Sequence, residues 1–263
     1  MKINITFFLL FILCLLAATS CKTTLPSTGK TITELESYNL EIDKTHPYLQ
    51  TIYYRDIISF GAENSAGNMI TYDKETERYY VPGKTDKTIN SGSDIIEFVK
   101  VSAANFAGFT CIAPETILYS DINGNVFRIE KKSNKWEEKP LFTVKSGQKP
   151  FTAMAADQKN IYLYSKTDNG IYRFDYSGRP EVFIKTNNIN VIGIDIKSTY
   201  LYILDNSGLI ILANYMQNKI ETEYMASNKN NLNTAFLVKQ TKTETEILLN
   251  RKAEKDSAVL LKN

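Results

Sequence analysis

Histidine is almost missing from this chain, with His46 alone, and cysteine occurs only three times, at 14, 21 and 111. Zinc sites draw two or more ligands from these residue types, and serine or cysteine triads need a positioned base. A lone loop histidine beside Pro47 is expected to be structural or exposed, so neither a metal site nor a cofactor is expected. The formal net charge is only +2 among 31 basic and 29 acidic residues. No strong field is present to recruit nucleic acid, and short basic pairs such as Lys131-Lys132 are expected to be solvated strand edges. Cys14 falls inside an apolar leader, which leaves Cys21 and Cys111 and no disulfide framework if Cys21 is modified.

The leader is MKINITFFLLFILCLLAATSCKTT: one cation at Lys2, an apolar run from Phe7 to Ala18, then small residues before Cys21. The run is shorter than the ~20 residues of a membrane-spanning helix and has the layout of a secretory signal. The ending Ala18-Thr19-Ser20-Cys21 resembles a bacterial lipobox, with Ala18 where Leu is usual. That resemblance implies cleavage before Cys21 and acylation of Cys21. The expected organisation is a signal at 1–20, a polar tether at 21–32 (KTTLPSTGKT carries Pro26 and Gly29 and no apolar periodicity), and one domain at 33–263. The expected location is the bacterial cell envelope, on the outer membrane, with lipid as the membrane partner.

Beyond the tether the chain repeats itself. TILYSDINGNVFRIEK begins at Thr116, IYLYSKTDNGIYRFDY at Ile161, LYILDNSGLIILAN at Leu201 and EILLNRKAEKDSAVLLKN at Glu246. Each is an alternating apolar run, an Asp/Asn/Ser/Gly turn and a second run, which is a hairpin signature. A weaker fifth copy, DIISFGAENSAGNMITYDKE, begins at Asp56, with its turn at Gly67. Strand-like segments rich in small residues precede the hairpins, from Asn105, Phe151, Asn190 and Asn233. Segments such as RYYVPGK, KPLFTVK, PEVFIKT and IETEYMAS are available as outer strands. Small first strand, aromatic second strand, turn, amphipathic third strand and outer fourth strand make up a propeller blade.

The stretches AADQKNIYLYSKTDNGIYRFDYSGRPEVFIKTNN and IDIKSTYLYILDNSGLIILAN resemble blades of the NHL and YWTD groups of β-propellers. The expected fold is therefore an all-β propeller of four-stranded antiparallel blades, five in number, or six if residues 32–55 form a unit. That stretch is expected instead to complete the first and last blades, closing the ring with strands from both ends of the domain.

Asp157 and Asp195 end two of the small-residue strands and look equivalent. As a pair near the axis they suggest the acid and base of a glycosidase; as repeated residues they suggest turn caps, the role the resemblance implies. Repetition favours architecture. Asp121, Asp168 and Asp205, with Asn123, Asn169 and Asn206, sit in hairpin turns without the spacing of a calcium loop. Trp136 and the 16 tyrosines are expected to pack blades before they bind a glycan, and Cys111 to behave as a small buried hydrophobe. No catalytic residue is assigned and the ligand-binding residues are unknown. The expected function is that of a non-catalytic binding or scaffolding propeller for a protein or glycan partner, the alternative being a carboxylate-based glycoside hydrolase or lyase.

Overall fold

The computed structural model describes residues 35–41, 53–56, 71–82, 88–91, 97–102, 105–144, 149–187, 189–206, 209–217, 219–225, 232–240, 245–251 and 257–262. Two strands come first, β1 (Glu36–Glu41) and β2 (Tyr53–Asp56). Four runs of four follow: β3 (Thr71–Asp73), β4 (Arg78–Pro82), β5 (Thr88–Ser91) and β6 (Glu97–Lys100); then β7 (Phe106–Ala113), β8 (Thr116–Asp121), β9 (Asn125–Lys132) and β10 (Lys135–Thr143); then β11 (Phe151–Ala156), β12 (Asn160–Ser165), β13 (Gly170–Asp175) and β14 (Pro180–Asn187); then β15 (Val191–Lys197), β16 (Tyr200–Asp205), β17 (Leu209–Asn214) and β18 (Lys219–Met225). The described chain finishes with β19 (Leu232–Gln240), β20 (Thr245–Arg251) and β21 (Ser257–Lys262).

Each run forms one antiparallel sheet in chain order, and β2 lies outside β21 to make the last sheet four-stranded. Among the described residues there are thus five sheets and no α-helix. Their first strands adjoin in a cycle, β3 to β7 to β11 to β15 to β19 and back to β3. Sheets radiating from a ring of first strands make a β-propeller.

The small first strands follow from that ring. Side chains alternate across a strand, so those of β11 go to two different cores. Ala153 and Ala155 enter the one shared with the fourth sheet, and Met154 and Ala156 the one shared with the second. Gly108 of β7 shows the crowding: a Cβ there would stand 2.9 Å from the backbone nitrogen of Met154. A bulge recurs near the start of three successive first strands, between Phe106 and Gly108, Phe151 and Ala153, and Val191 and Gly193. Larger side chains fill the space further out: Tyr80, Ile117, Tyr119 and Ile129 between the first two sheets, and Phe142, Tyr172 and Phe174 between the next two.

The first repeat differs from its sequence reading. Residues 57–70, with the turn expected at Gly67, lie outside the described residues. Thr71–Asp73 at the end of that stretch is a first strand, and RYYVPGK supplies the second strand, β4, in place of an outer one. The phase was hidden because β3 is only three residues long and carries Tyr72 instead of a small residue. The other outer-strand segments fall in β10, β14 and β18 as expected.

The N-terminal strands are also divided differently. β2 closes the last sheet, as expected, but the first sheet is completed by its own β6. β1 instead adds in parallel to the outer edge of β14 in the third sheet, pairing Tyr38 with Ile184 and Leu40 with Thr186. Leu40 of β1 enters the core between the third and fourth sheets, and Leu35 just before it the core between the second and third, which holds the strand at this edge.

Candidate functional site

The acids that the repeat brings forward have partners. Asp157 Oδ1 accepts from the backbone N–H groups of Lys159 and Asn160, both at 2.7 Å, which is the turn role. Asp121 Oδ1 accepts from the N–H groups of Asn123 and Asn125, both at 2.9 Å, and its Oδ2 from Asn125 Nδ2 at 2.7 Å. Asp168 Oδ2 accepts from Tyr172 Oη (2.8 Å) and Ser165 Oγ (3.0 Å), while Asp205 Oδ1 accepts from the Leu209 N–H (2.9 Å). Among the described residues no three of His, Cys, Asp and Glu come together as metal ligands.

Asp195 corrects the sequence reading. With Ser165 opposite Phe151 and Asp205 opposite Val191, Asp195 opposes Tyr202 and so corresponds to Ala155, two residues before the level of Asp157. It caps no turn. Buried in β15, its Oδ2 accepts the N–H of Val238 in β19 at 2.8 Å, and its Oδ1 accepts the Ile196 N–H at 2.8 Å and meets Lys197 Nζ at 3.2 Å. It ties the fourth sheet to the fifth. Buried Asp73 does the same between the first two sheets, accepting the Glu115 N–H at 2.8 Å.

Trp136 packs edge-on to Tyr80 with ring centres 5.9 Å apart, and Lys131 Nζ lies 5.7 Å from its centroid. Lys132 pairs with Glu130 and is exposed as expected, but Lys131, paired with Glu115, keeps only 11% of its side chain exposed and is no solvated edge. His46 and Cys21 lie outside the described residues. Cys111 is partly buried, and its Sγ donates to the Ala113 carbonyl at 3.2 Å. Burial, reinforced by the charge of Asp73, pushes its thiol up to about 12 from an ordinary 9.0. The thiolate fraction at pH 8 is therefore about a thousandfold below that of a free thiol. Alkylation by iodoacetamide at pH 8, followed by mass spectrometry on a Cys21→Ser chain lacking the leader, is expected to be slower than for glutathione by at least two orders of magnitude and to speed up as pH rises; a glutathione-like rate would contradict the burial.

A further pattern escaped the sequence reading. Arg128 of β9 and Arg173 of β13 occupy the same place in successive sheets, opposite Leu118 and Tyr162. Tyr176 and Tyr215 each directly follow a third strand. Arg173 Nη1 donates to Tyr215 Oη at 2.7 Å across the third and fourth sheets. Arg128 lies near enough to Tyr176 for its charge to oppose the rise of that phenol, which burial and then Asp157 push up to about 12. The aligned fragments NVFRIE and GIYRFD carried this signal in their shared arginine.

At Arg173 the repeat acquires parts that are not repeated. Tyr162 and Tyr215 have their hydroxyls 3.4 Å apart, and burial, then the bond to Tyr215, raises the Tyr162 phenol. Glu181 Oε2 stands 3.5 Å from Arg173 Nη2, while the buried Nε without a partner is a feature Arg173 shares with Arg128. Over this cluster lie β1 and a 3₁₀ turn, Tyr215–Gln217. Tyr38 of β1 meets Tyr215 edge to face at 5.5 Å, and Met216 beside it is 56% exposed. Tyr162 and Tyr215 are themselves buried, so the surface at this rim is offered by Tyr38 and Met216.

No protein-family model matches the chain, and no curated protein matches it. Among solved structures it is similar to virginiamycin B lyase from Staphylococcus aureus, at 15% identity and a TM-score of 0.48, covering 74% of this chain and 65% of that one. It is similar to a chain of a nidogen/laminin complex at 10% identity and a TM-score of 0.46, covering 60% and 62%. It is also similar to the Neurospora crassa Pan2 WD40 domain at 9% identity and a TM-score of 0.43, covering 73% and 61%. The chain spans less than two thirds of each of these chains. The propeller assignment therefore stands on the strand order and the ring of first strands.

Proposed function

We propose that the protein is a bacterial envelope lipoprotein, held on a membrane through acylated Cys21, whose propeller binds a protein or glycan partner without catalysing a reaction. The observation that carries the non-catalytic part is the use of the repeated acids: Asp73, Asp121, Asp157, Asp168, Asp195 and Asp205 accept hydrogen bonds from turns, neighbouring strands or adjacent side chains. A glycosidase needs two carboxyl groups facing one substrate across about 5 to 10 Å. Acids that cap and tie are architectural. The Cys21 anchor is supported by the leader and its lipobox-like ending, and the tether places the propeller within about 50 Å of the lipid when fully extended.

Two measurements test this reading. Cells fed a radioactive fatty acid are expected to label the wild-type protein and not Cys21→Ser; label retained on the variant would overturn the anchor. The purified chain without its leader is expected to release no reducing ends from a panel of polysaccharides. Release that disappears in Asp157→Asn or Asp195→Asn would restore the hydrolase reading.

A further inference from the structure

The two ends of the propeller expose different chemistry. At one end lie the turns between second and third strands and the entries into the first strands, joined where the Ile122 and Asn206 N–H groups donate to the carbonyls of Asn105 and Asn190. Asn105, Asn123, Asn169, Asn190 and Asn206 are exposed there. Amide side chains of this kind are satisfied by water and lose by leaving it.

At the other end lie the turns between third and fourth strands. One of them is the 3₁₀ turn Tyr215–Gln217, which presents Met216, the one exposed large hydrophobic side chain among the described residues. Tyr38 stands beside it, half-buried against Tyr215, and Gln217 and Lys219 are exposed. A single exposed apolar side chain is ordinary on a protein surface. What gives this one meaning is its place relative to the tether.

The tether enters at the same end. β1 runs parallel to β14 with Glu36 beside Val182, so its start lies with the start of β14 and the turn that holds Gly178. Leu35, just before it, is buried between the second and third sheets and fixes the point of entry. Residues 22–34 therefore join Cys21 to the Met216 end, with a reach of at most about 50 Å. The asparagine end stands a strand length further away, about 20–25 Å for the six to eight residues of β11 to β14. Turning that end to the lipid uses up nearly half of the reach, whereas turning the Met216 end uses almost none.

We infer that the end carrying Met216 and Tyr38 rests on the lipid surface, with Met216 entering the headgroup boundary of the bilayer and the asparagine end facing outward to the partner. This rests on the anchored-lipoprotein reading above and adds to it a second, non-covalent contact. The residue types suit the boundary, methionine being apolar and adaptable and tyrosine having an apolar body with a polar tip. The charges at this end are mixed, since exposed Glu36, which accepts from the Tyr38 hydroxyl, offsets exposed Lys219. The contact therefore needs no anionic lipid. One methionine is too little to hold a free protein on a membrane, but in a tethered one it has only to choose between orientations, a bias of about tenfold.

The test attaches the chain from Cys21, carrying Cys111→Ala and Trp136→Phe, through the Cys21 thiol to a maleimide-headgroup lipid in phosphatidylcholine vesicles. Gln217→Trp then reports on the Met216 end and Asn123→Trp on the opposite end, each new indole favouring an interface to the same degree. Brominated phosphatidylcholine should quench the indole at position 217 about threefold more than the one at 123, and Met216→Asp should remove the difference. Equal quenching at the two positions in chains that circular dichroism shows to be folded, or a preference that survives Met216→Asp, would overturn the lipid contact. A preference seen only when phosphatidylglycerol is present would make the contact electrostatic and overturn the role of Met216. A dimer of the unattached chain that Met216→Asp abolishes would assign the patch to a second copy and overturn it as well. Fatty-acid label retained on Cys21→Ser would overturn the anchor and with it this orientation in the cell, whereas label lost from that variant together with equal quenching would overturn the contact and leave the anchor standing.

Discussion

Asp195→Ala is expected to lower the stability of the domain by about 3 kcal/mol, the low end of the cost of breaking a buried charged network. The carboxylate is 4% exposed and holds the Val238 N–H, the Ile196 N–H and the Lys197 ammonium. Truncation leaves donors buried between two sheets, and each orphaned group costs roughly 1–3 kcal/mol. For a domain of this size that is a fall in Tm of roughly 6–12 °C. Asp195→Asn keeps an acceptor oxygen and is expected to lose less. Asp157→Ala, which removes a turn cap and a long hydrogen bond from the Tyr162 hydroxyl at 3.5 Å, is expected to lose about 1 kcal/mol. Thermal melts of the three variants decide the matter: equal losses for the two alanine variants would mean that both acids do the same work, as the sequence first suggests.

The second large effect is expected where the second sheet meets the third. Gly178, in the turn between β13 and β14, has φ of +83°, and a Cβ there would stand 2.4 Å from Cγ of Phe142. Phe142 is fully buried, with its ring centre 5.5 Å from that of Phe174. Phe142→Ala is expected to cost about 3–5 kcal/mol through the cavity it leaves. Gly178→Ala is expected to cost about 2–4 kcal/mol, combining a left-handed backbone with overpacking. The double variant should cost less than the two together by about 1 kcal/mol, because removing the ring relieves the contacts with Cγ and Cδ2 but leaves the Cβ of residue 142 at 2.6 Å and the backbone strain. Urea denaturation of all four chains gives the coupling; additivity within about 0.5 kcal/mol would show that the glycine and the ring do not meet.

Much of this fold is legible in the residues because two local rules suffice for it. The alternation of Ile161, Leu163 and their neighbours with Tyr162 and Tyr164, followed by Asp168-Asn169-Gly170, specifies strand, turn and strand without reference to anything distant. The small residues of FTAMAA mark a strand crowded on both faces, which is where β11 lies. The turn role of Asp157 is likewise local, since both of its backbone donors lie within three residues. The first repeat was misread for the same reason: β3 is too short and too aromatic for the small-residue rule.

Other features depend on neighbours in space. Asp157 and Asp195 look equivalent because each ends an apolar strand, yet a two-residue offset in the ladder turns one toward its own turn and the other toward β19. The aligned arginines at 128 and 173 were visible, but the tyrosine each approaches belongs to the next sheet. β1 shows the limit most clearly, because ESYNLE has no hairpin partner and its apolar positions fit any uncovered edge.

By itself, then, the sequence determined the class of fold, the order of strands within most sheets and the residues that close the hairpins, since turn chemistry and side-chain alternation act over a few residues. Only the tertiary structure decided which acids tie one sheet to the next, which arginine meets which tyrosine, and that β14 takes β1 as its neighbour. Those choices rest on contacts between residues 40 to 150 positions apart, and no local preference encodes them.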